Sequence, residues 1–291
     1  MVAIIDSPDF MFSDVDLTTL SKWQRLIYFI KGLIVGYIFK KTKEDAFCNL
    51  MNFFFRSDQK IQYKNGIYSK KLSNGLKIFY PNKRIVRVIK NPIHHFQFLY
   101  ESYCLEQIKF NEGDVVIDCG ANIGELAFSF DNLNKKVKYF AFEPEPETFK
   151  CLSKNLSQFE NMTTYNFALS NDEETIDFFV DAEGGNSSLE YFGTEKKVTI
   201  DTKKIDSFKY EKVKLIKIEA EGHEESVIKG SLETLKRTEY VAVDYGPEKG
   251  VLQNPTISEV VNLLYRNQFQ LISSSKHRQI GLFKNQLIEN E

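Results

Sequence analysis

The sequence predicts an α/β fold: an open, doubly wound sheet with its last strand antiparallel, preceded by an N-terminal helical and β-hairpin extension. Three observations carry this expectation. After about residue 110, short continuous apolar runs alternate with segments of helical period. The first of those runs ends in a glycine-containing turn that opens a helix. The last two runs are joined only by residues 274–278, a connection too short for a parallel crossover, so they must pair antiparallel.

The elements follow in order. Residues 17–55 form an aromatic-rich helical opening, and Asn65-Gly66 and Asn74-Gly75 mark hairpin turns between short β-like runs. Residues 96–106 form a helix with Phe96, Leu99, Tyr100 and Tyr103 on one face. Residues 115–119 are a strand apolar enough to be covered on both sides. Strands at 138–142, 163–169, 214–218 and 240–244 come next. Helices carrying Phe149, Leu152, Leu156 and Phe159, and then Val227, Ile228, Leu232 and Leu235, are interleaved with them. Thr256-Ile-Ser-Glu259 is a capping box that opens a helix with Ile257, Val260, Val261 and Leu264 on its buried side. Strands at 269–273 and 279–283 close the sheet. The change of character near residue 110 divides the chain into an extension, 1–110, and a core domain, 111–291.

The 291 residues suffice for one such core plus an appended element. A net charge of −2 gives no footprint for nucleic acid. It conceals an asymmetry: residues 1–111 hold 17 Lys+Arg against 9 Asp+Glu, and the remainder 21 against 31. Cys48, Cys104, Cys119 and Cys151 show no metal-ligand spacing, and the first residues lack the basic and apolar regions of a signal peptide. Free thiols in a reducing cytoplasm are the expectation. The most hydrophobic stretch, 26–39, is interrupted by Lys31, is shorter than a membrane span, and is followed by Lys40, Lys41 and Lys43. Packing on the core domain or on a second subunit, as in a homo-oligomer, is its favoured role. Shallow attachment to a membrane surface is the alternative.

Three motifs carry chemistry. Asp118-Cys-Gly120-Ala-Asn122-Ile-Gly124 joins the first core strand to its helix, where such sheets place ligands. Asp118 stands where a dinucleotide fingerprint has its first glycine, so the turn is less suited to a pyrophosphate. Glu143, in Phe142-Glu-Pro144, sets a carboxylate at the end of the next strand, where ribose hydroxyls are held. Within Lys217-Ile-Glu219-Ala-Glu221-Gly222-His223-Glu224, four ionisable groups, Glu219, Glu221, His223 and Glu224, gather after a further strand, with Glu224 assigned to the start of the following helix. Asp244 and Glu248 bring further carboxylates to the same edge. Residues 184–188, Gly-Gly-Asn-Ser-Ser, are equally a solvent loop or a polar cover for a hydroxylated substrate.

From about residue 113 to 244 this combination resembles the FkbM family of methyltransferases. The matching stretches are 118–124, 142–144, Asn166-Phe-Ala-Leu-Ser170, and 217–224 with Gly230 beyond. The resemblance implies the class I methyltransferase (Rossmann-like) fold and S-adenosyl-L-methionine as methyl donor. It implies that Asp118, Gly120, Asn122 and Gly124 line the methionine part of that cofactor, that Glu143 binds its ribose, and that Phe167 and Ala168 lie near its adenine. The chain departs from the commonest pattern at Glu219, where many members have Asp, and its first hundred residues match nothing.

The expected reaction is O-methyl transfer to a hydroxyl of a sugar, glycan or small natural product. His223 is the candidate base, because its ordinary pKa of ~6.5 suits neutral pH. Glu221 and Glu219 compete as bases or substrate-orienting groups. Glu219, Glu221 and Asp244 could offer oxygen ligands to a divalent metal, which is not favoured. Two other readings stand beside this one: a nucleotide-dependent oxidoreductase on a related sheet, and a non-catalytic binding module that keeps the fold.

Overall fold

The computed structural model describes residue 11 and residues 19–56, 59–181, 187–276 and 278–288. Two compact units, 1–97 and 98–291, divide within one helix. The division lies before residue 110 because Tyr100, Tyr103, Leu105, Ile108 and Phe110 are buried in the core of the second unit.

In the first unit the helical opening is two helices, α1 (Lys22–Lys41) and α2 (Glu44–Phe55). A capping box between Ser21 and Gln24 starts α1, and extended backbone at Thr42 and Lys43 ends it. Strands β1 (Ile61–Lys64), β2 (Ile67–Lys71) and β3 (Lys77–Tyr80) form an antiparallel meander whose turns fall at the two Asn-Gly pairs. Lys70 is buried, and its ammonium donates to the carbonyls of Val88 and Ile89 at 2.9 and 2.6 Å. Helix α3 (Pro92–Ser102) carries the chain across the division.

The second unit runs β4 (Val115–Cys119), α4 (Glu125–Asn132), β5 (Lys138–Phe142), α5 (Pro146–Leu156), β6 (Met162–Tyr165), β7 (Ala168–Leu169), β8 (Thr175–Phe179) and β9 (Lys197–Lys203). It continues with β10 (Val213–Ile218), α6 (Glu224–Lys229), α7 (Leu232–Leu235), β11 (Thr238–Asp244), β12 (Pro247–Lys249), β13 (Asn254–Pro255), α8 (Ile257–Arg266), β14 (Phe269–Ser274) and β15 (Ile280–Asn285). Seven strands form the main sheet in the order β14-β15-β11-β10-β4-β5-β6. Five are mutually parallel from β11 to β6, and β15 runs antiparallel to both its neighbours. The predicted doubly wound sheet closed by a reversed last strand is therefore present.

Alternation along the strands serves two cores. Val116, Leu215, Tyr240 and Ala242 face one, and Ile117, Ile216, Val241 and Val243 face the other. Both sheet faces are covered, which is why these strands are largely apolar, with Asp118 of β4 and Lys217 of β10 as buried exceptions.

Three local expectations are corrected. The run 163–169 is not one strand: β6 stays in the main sheet, while β7 joins a small sheet of order β7-β9-β8. Between them Asn166 donates through Nδ2 to the carbonyls of Glu143 and Pro144, turning the chain out of line. The helix after β10 breaks into α6 and α7 around Gly230, where a Cβ would meet the Ser170 carbonyl oxygen at 2.0 Å. Thr256 does precede α8, but its hydroxyl makes no capping bond; it donates to Glu224 at 2.8 Å, and Ile257 points to solvent.

Candidate active site

The loop after β4 is held through its backbone N–H groups. The N–H groups of Gly120 and Ala121 both donate to the Phe142 carbonyl, that of Asn122 to Glu143 Oε2 at 2.9 Å, that of Ile123 to Asn122 Oδ1, and that of Gly124 to the Ala121 carbonyl. Every N–H from 120 to 124 thus has an acceptor within the protein. Gly120, at φ +70°, sits where a Cβ would lie 1.9 Å from the Glu219 carbonyl oxygen. Gly124, at φ +85°, leaves room for Leu152 and Leu156 of α5. Both glycines answer to close approach within the protein, at positions a side chain cannot take.

Glu143 is buried at the end of β5. Its Oε1 accepts from the Glu145 N–H at 2.9 Å, as its Oε2 does from Asn122. Burial nevertheless pushes its carboxyl up to about 7, against those two donors. Each carboxylate oxygen can accept a further bond. Phe167 is half-buried, with its ring stacked on Phe208 and tilted against Phe142 and Tyr165. Ala168 is buried in β7.

Beside this loop lies a chain of buried and half-buried charges that starts from strand register. Asp118 on β4 and Lys217 on β10 are paired residues of neighbouring parallel strands, so both side chains emerge on one face. Lys217 Nζ lies 2.9 Å from Asp118 Oδ1 and 3.2 Å from Glu219 Oε2, and donates to the carbonyls of Cys119 and Gly120 at 3.2 and 2.8 Å. Tyr139 donates to the other oxygen of Asp118. Glu219 accepts from the Tyr103 hydroxyl and from Arg278, whose guanidinium also donates to Asp244 Oδ2 at 2.6 Å. Both cations lie over the Tyr103 ring, at 5.4 Å for Lys217 and 5.5 Å for Arg278. Burial alone would raise the Glu219 carboxyl, but Lys217 and Arg278 outweigh it and hold the group well below the usual carboxylate range. Two cations, Lys217 and Arg278, thus face three carboxylates, Asp118, Glu219 and Asp244.

Glu221 and Glu248 border that network as carboxyls raised enough to hold their protons at neutral pH. The loop after β10 has Glu221 at φ +50° and Gly222 at φ +98°, with Gly222 pressed so closely on Lys249 that a Cβ would lie 2.6 Å from its Cα. Glu221 Oε2 is buried with no hydrogen-bond partner among the described residues. Burial raises both carboxyls; Glu248, Glu219 and Asp244 raise Glu221 further, and Asp244 and Glu219 raise Glu248 against the opposing pull of Arg278. Glu224 holds the loop from below, accepting from the N–H groups of Ala220 and Gly222 and from Thr256. It organises the loop that leads into α6, which extends its expected role at the helix start.

His223 occupies the N-cap position of α6, with Nε2 3.0 Å from Ser170 Oγ and Nδ1 3.5 Å from Glu190 Oε1. Both ring nitrogens therefore face protein groups. Ser188 is buried, donating to the Glu221 carbonyl at 2.7 Å and accepting from the Glu190 N–H, while 184–186 lie outside the described residues. Where Glu219 and Asp244 could have offered ligands to a metal, the Arg278 guanidinium stands between them. Among the described residues no group of three or more His, Cys, Asp or Glu is arranged to hold one.

Sequence reasoning missed Tyr103, Tyr139, Lys217 as a hub, and Arg278. Lys217 had a legible signal: a lysine inside an apolar strand covered on both faces requires a buried counter-charge, and Asp118 is the one acid in β4. Tyr103 and Arg278 come from distant segments, and nothing in their neighbourhoods announces the contact.

A family model described as the Methyltransferase FkbM domain matches residues 118–271. Over 156 residues the chain is 24% identical to the 2-O-methyltransferase NoeI of Sinorhizobium fredii, covering 46% of this chain and 64% of that protein. Over 138 residues it is 31% identical to the hexuronic acid methyltransferase AglP of Haloferax volcanii, covering 46% of this chain and 56% of that protein. The chain thus spans less than two thirds of the length of either relative. Among solved structures it is similar to the methyltransferase FkbM from Methylobacillus flagellatus KT, with a TM-score of 0.46 and 16% identity over 70% of this chain and 55% of that one. The matched segment begins at Asp118, takes in Glu143 and the 217–224 loop, and covers more than half of the sequence: the chain belongs to the FkbM methyltransferase family.

Proposed function

We propose that the protein is an S-adenosyl-L-methionine-dependent O-methyltransferase whose acceptor is a sugar hydroxyl. The observation that carries the donor assignment is electrostatic. A strand-end site with five committed N–H groups and an excess of carboxylates suits a cationic sulfonium and repels a pyrophosphate. The same observation disfavours the oxidoreductase reading, because a dinucleotide needs free N–H groups at this turn.

In this reading Glu143 accepts from the ribose hydroxyls through its remaining lone pairs, and the half-buried Phe167 gives the adenine an aromatic wall beside Ala168. Asn122 and the 120–124 backbone shape the methionine end, while Asp118 acts through Lys217 to hold Gly120 in place. S-adenosyl-L-methionine, when bound, supplies a methyl group that is already activated. The residues must then align a hydroxyl and accept its proton. Of the three acid–base candidates, Glu221 fits that role best. Glu219 is held ionised by two cations, and His223 is turned toward Ser170 and Glu190. Glu221 instead keeps a buried oxygen with no hydrogen-bond partner among the described residues, beside Glu248; its carboxyl, raised to about 9, is a strong proton acceptor once ionised, so turnover should rise with pH toward that value.

The acceptor class rests on the relatives, one named for 2-O-methyl transfer and the other for hexuronic acid. The experiment is methyl transfer from labelled S-adenosyl-L-methionine to hexuronic acids, neutral sugars and their nucleotide-linked forms. Transfer to a sugar oxygen is expected, with kcat for Glu221→Gln reduced about 10²–10⁴-fold and the KM for the donor little changed. Transfer to a nitrogen acceptor only, or a Glu221→Gln variant with full turnover, contradicts the proposal.

A further inference from the structure

Among the described residues, helix α1 packs one side and leaves the other uncovered. Gly32, Val35 and Ile38 are buried, and Phe39 meets Phe47 of α2 edge-on at 5.8 Å. Trp23, Leu26, Ile27, Ile30, Leu33, Ile34 and Tyr37 are all exposed, Trp23 by 76%. Their spacing of three and four residues places them on a single stripe, opposite the packed side. From Trp23 to Tyr37 the stripe runs roughly 21 Å at 1.5 Å per residue, with a large amphipathic aromatic ring at each end.

Charge decides what fits this face. Six basic residues, Lys22, Arg25, Lys31, Lys40, Lys41 and Lys43, fall within 22–43, and no acidic residue does. At 3.6 residues per turn Lys22 and Lys40 border one edge of the stripe and Lys31 the other. A second copy of this chain applied to the same face would oppose these cations to their own symmetry mates with no carboxylate on α1 to answer them. An anionic lipid surface answers both features, taking the apolar side chains below its headgroups and the lysines at headgroup level. No described helix is long and apolar enough to cross a membrane, so the helix would lie in the surface plane.

We infer that the outer face of α1 docks the protein on an anionic bilayer. The test is flotation of the full chain with phosphatidylcholine vesicles, with and without phosphatidylglycerol, alongside light scattering of the free protein. Wild type is expected to float with the anionic vesicles and much less with phosphatidylcholine alone. Ile30→Glu should weaken that binding roughly tenfold or more with an unchanged circular dichroism spectrum. Lys40→Gln and Lys41→Gln should each weaken it roughly fivefold, and added salt should mimic them. The inference is overturned if wild type floats with neither vesicle, if it floats equally with both, or if Ile30→Glu floats like wild type. It is equally overturned if the protein is a dimer that binds no vesicle and that Ile30→Glu converts to a monomer.

Discussion

The two loops at the centre of the site are built on opposite principles. In the loop after β4 each N–H from 120 to 124 has a partner, and its glycines answer to packing against Glu219 and α5. The loop after β10 is anchored from beneath by Glu224, yet it carries Glu221 in a left-handed conformation with a buried oxygen that has no partner among the described residues, next to a second raised carboxyl. A satisfied loop is a fixed surface for holding a ligand. A loop that retains an uncommitted acid is where a proton can move, and buried polar atoms left without partners concentrate at such places.

The first loop should be the one that cannot be disturbed without loss of the fold. Gly120→Ala places a Cβ against backbone that cannot yield, in a region of φ that an L-residue avoids. A loss of about 3–5 kcal/mol is expected, read by denaturant unfolding. Lys217→Met leaves Asp118 and Glu219 without their shared cation and should cost about 3–4 kcal/mol in the same measurement. Were either variant to melt like wild type, the rigidity of the loop after β4 would not depend on the contacts described.

The second loop should yield function before stability. Ligand-free protein should lose stability as pH rises, because Glu143, Glu221 and Glu248 all have carboxyls raised above 4.5 in the folded state. The protonated form is favoured by folding. Its contribution is therefore complete below about pH 4.5 and is lost as pH climbs through about 7 for Glu143, about 8 for Glu248 and about 9 for Glu221. Glu221→Gln should flatten this dependence, raising Tm near pH 8 by roughly 2–4 °C. A steeper slope in the variant would contradict the assignment. The smallest expected effect is that of Ser170→Ala, which removes one partner of His223 and should cost about 1 kcal/mol with turnover nearly retained. A large loss of kcat there would return the base role to His223.

Much of the fold was legible because hydrophobic period and strand length are local. The buried runs at 115–119 and 138–142 match β4 and β5, and the short 274–278 connection required the reversed β15. The breaks at Asn166 and Gly230 were not legible, since each is imposed by a contact with a distant carbonyl. Thr256 shows the same limit: its capping box is satisfactory as sequence, but the hydroxyl finds a buried carboxylate 32 residues away. In the site, the carboxylates could be found from their positions at strand ends. Their cations could not all be found, because Arg278 arrives from the hairpin on the far side of the sheet order and Tyr103 from before β4.

The central claim is that the strand-end site takes a sulfur-containing nucleoside and not a dinucleotide, and titration calorimetry tests it most directly. Wild type should bind S-adenosyl-L-methionine and S-adenosylhomocysteine but not NAD, and Glu143→Ala should weaken the first two by about 1–3 kcal/mol. Binding of NAD with neither sulfur compound bound would contradict the account.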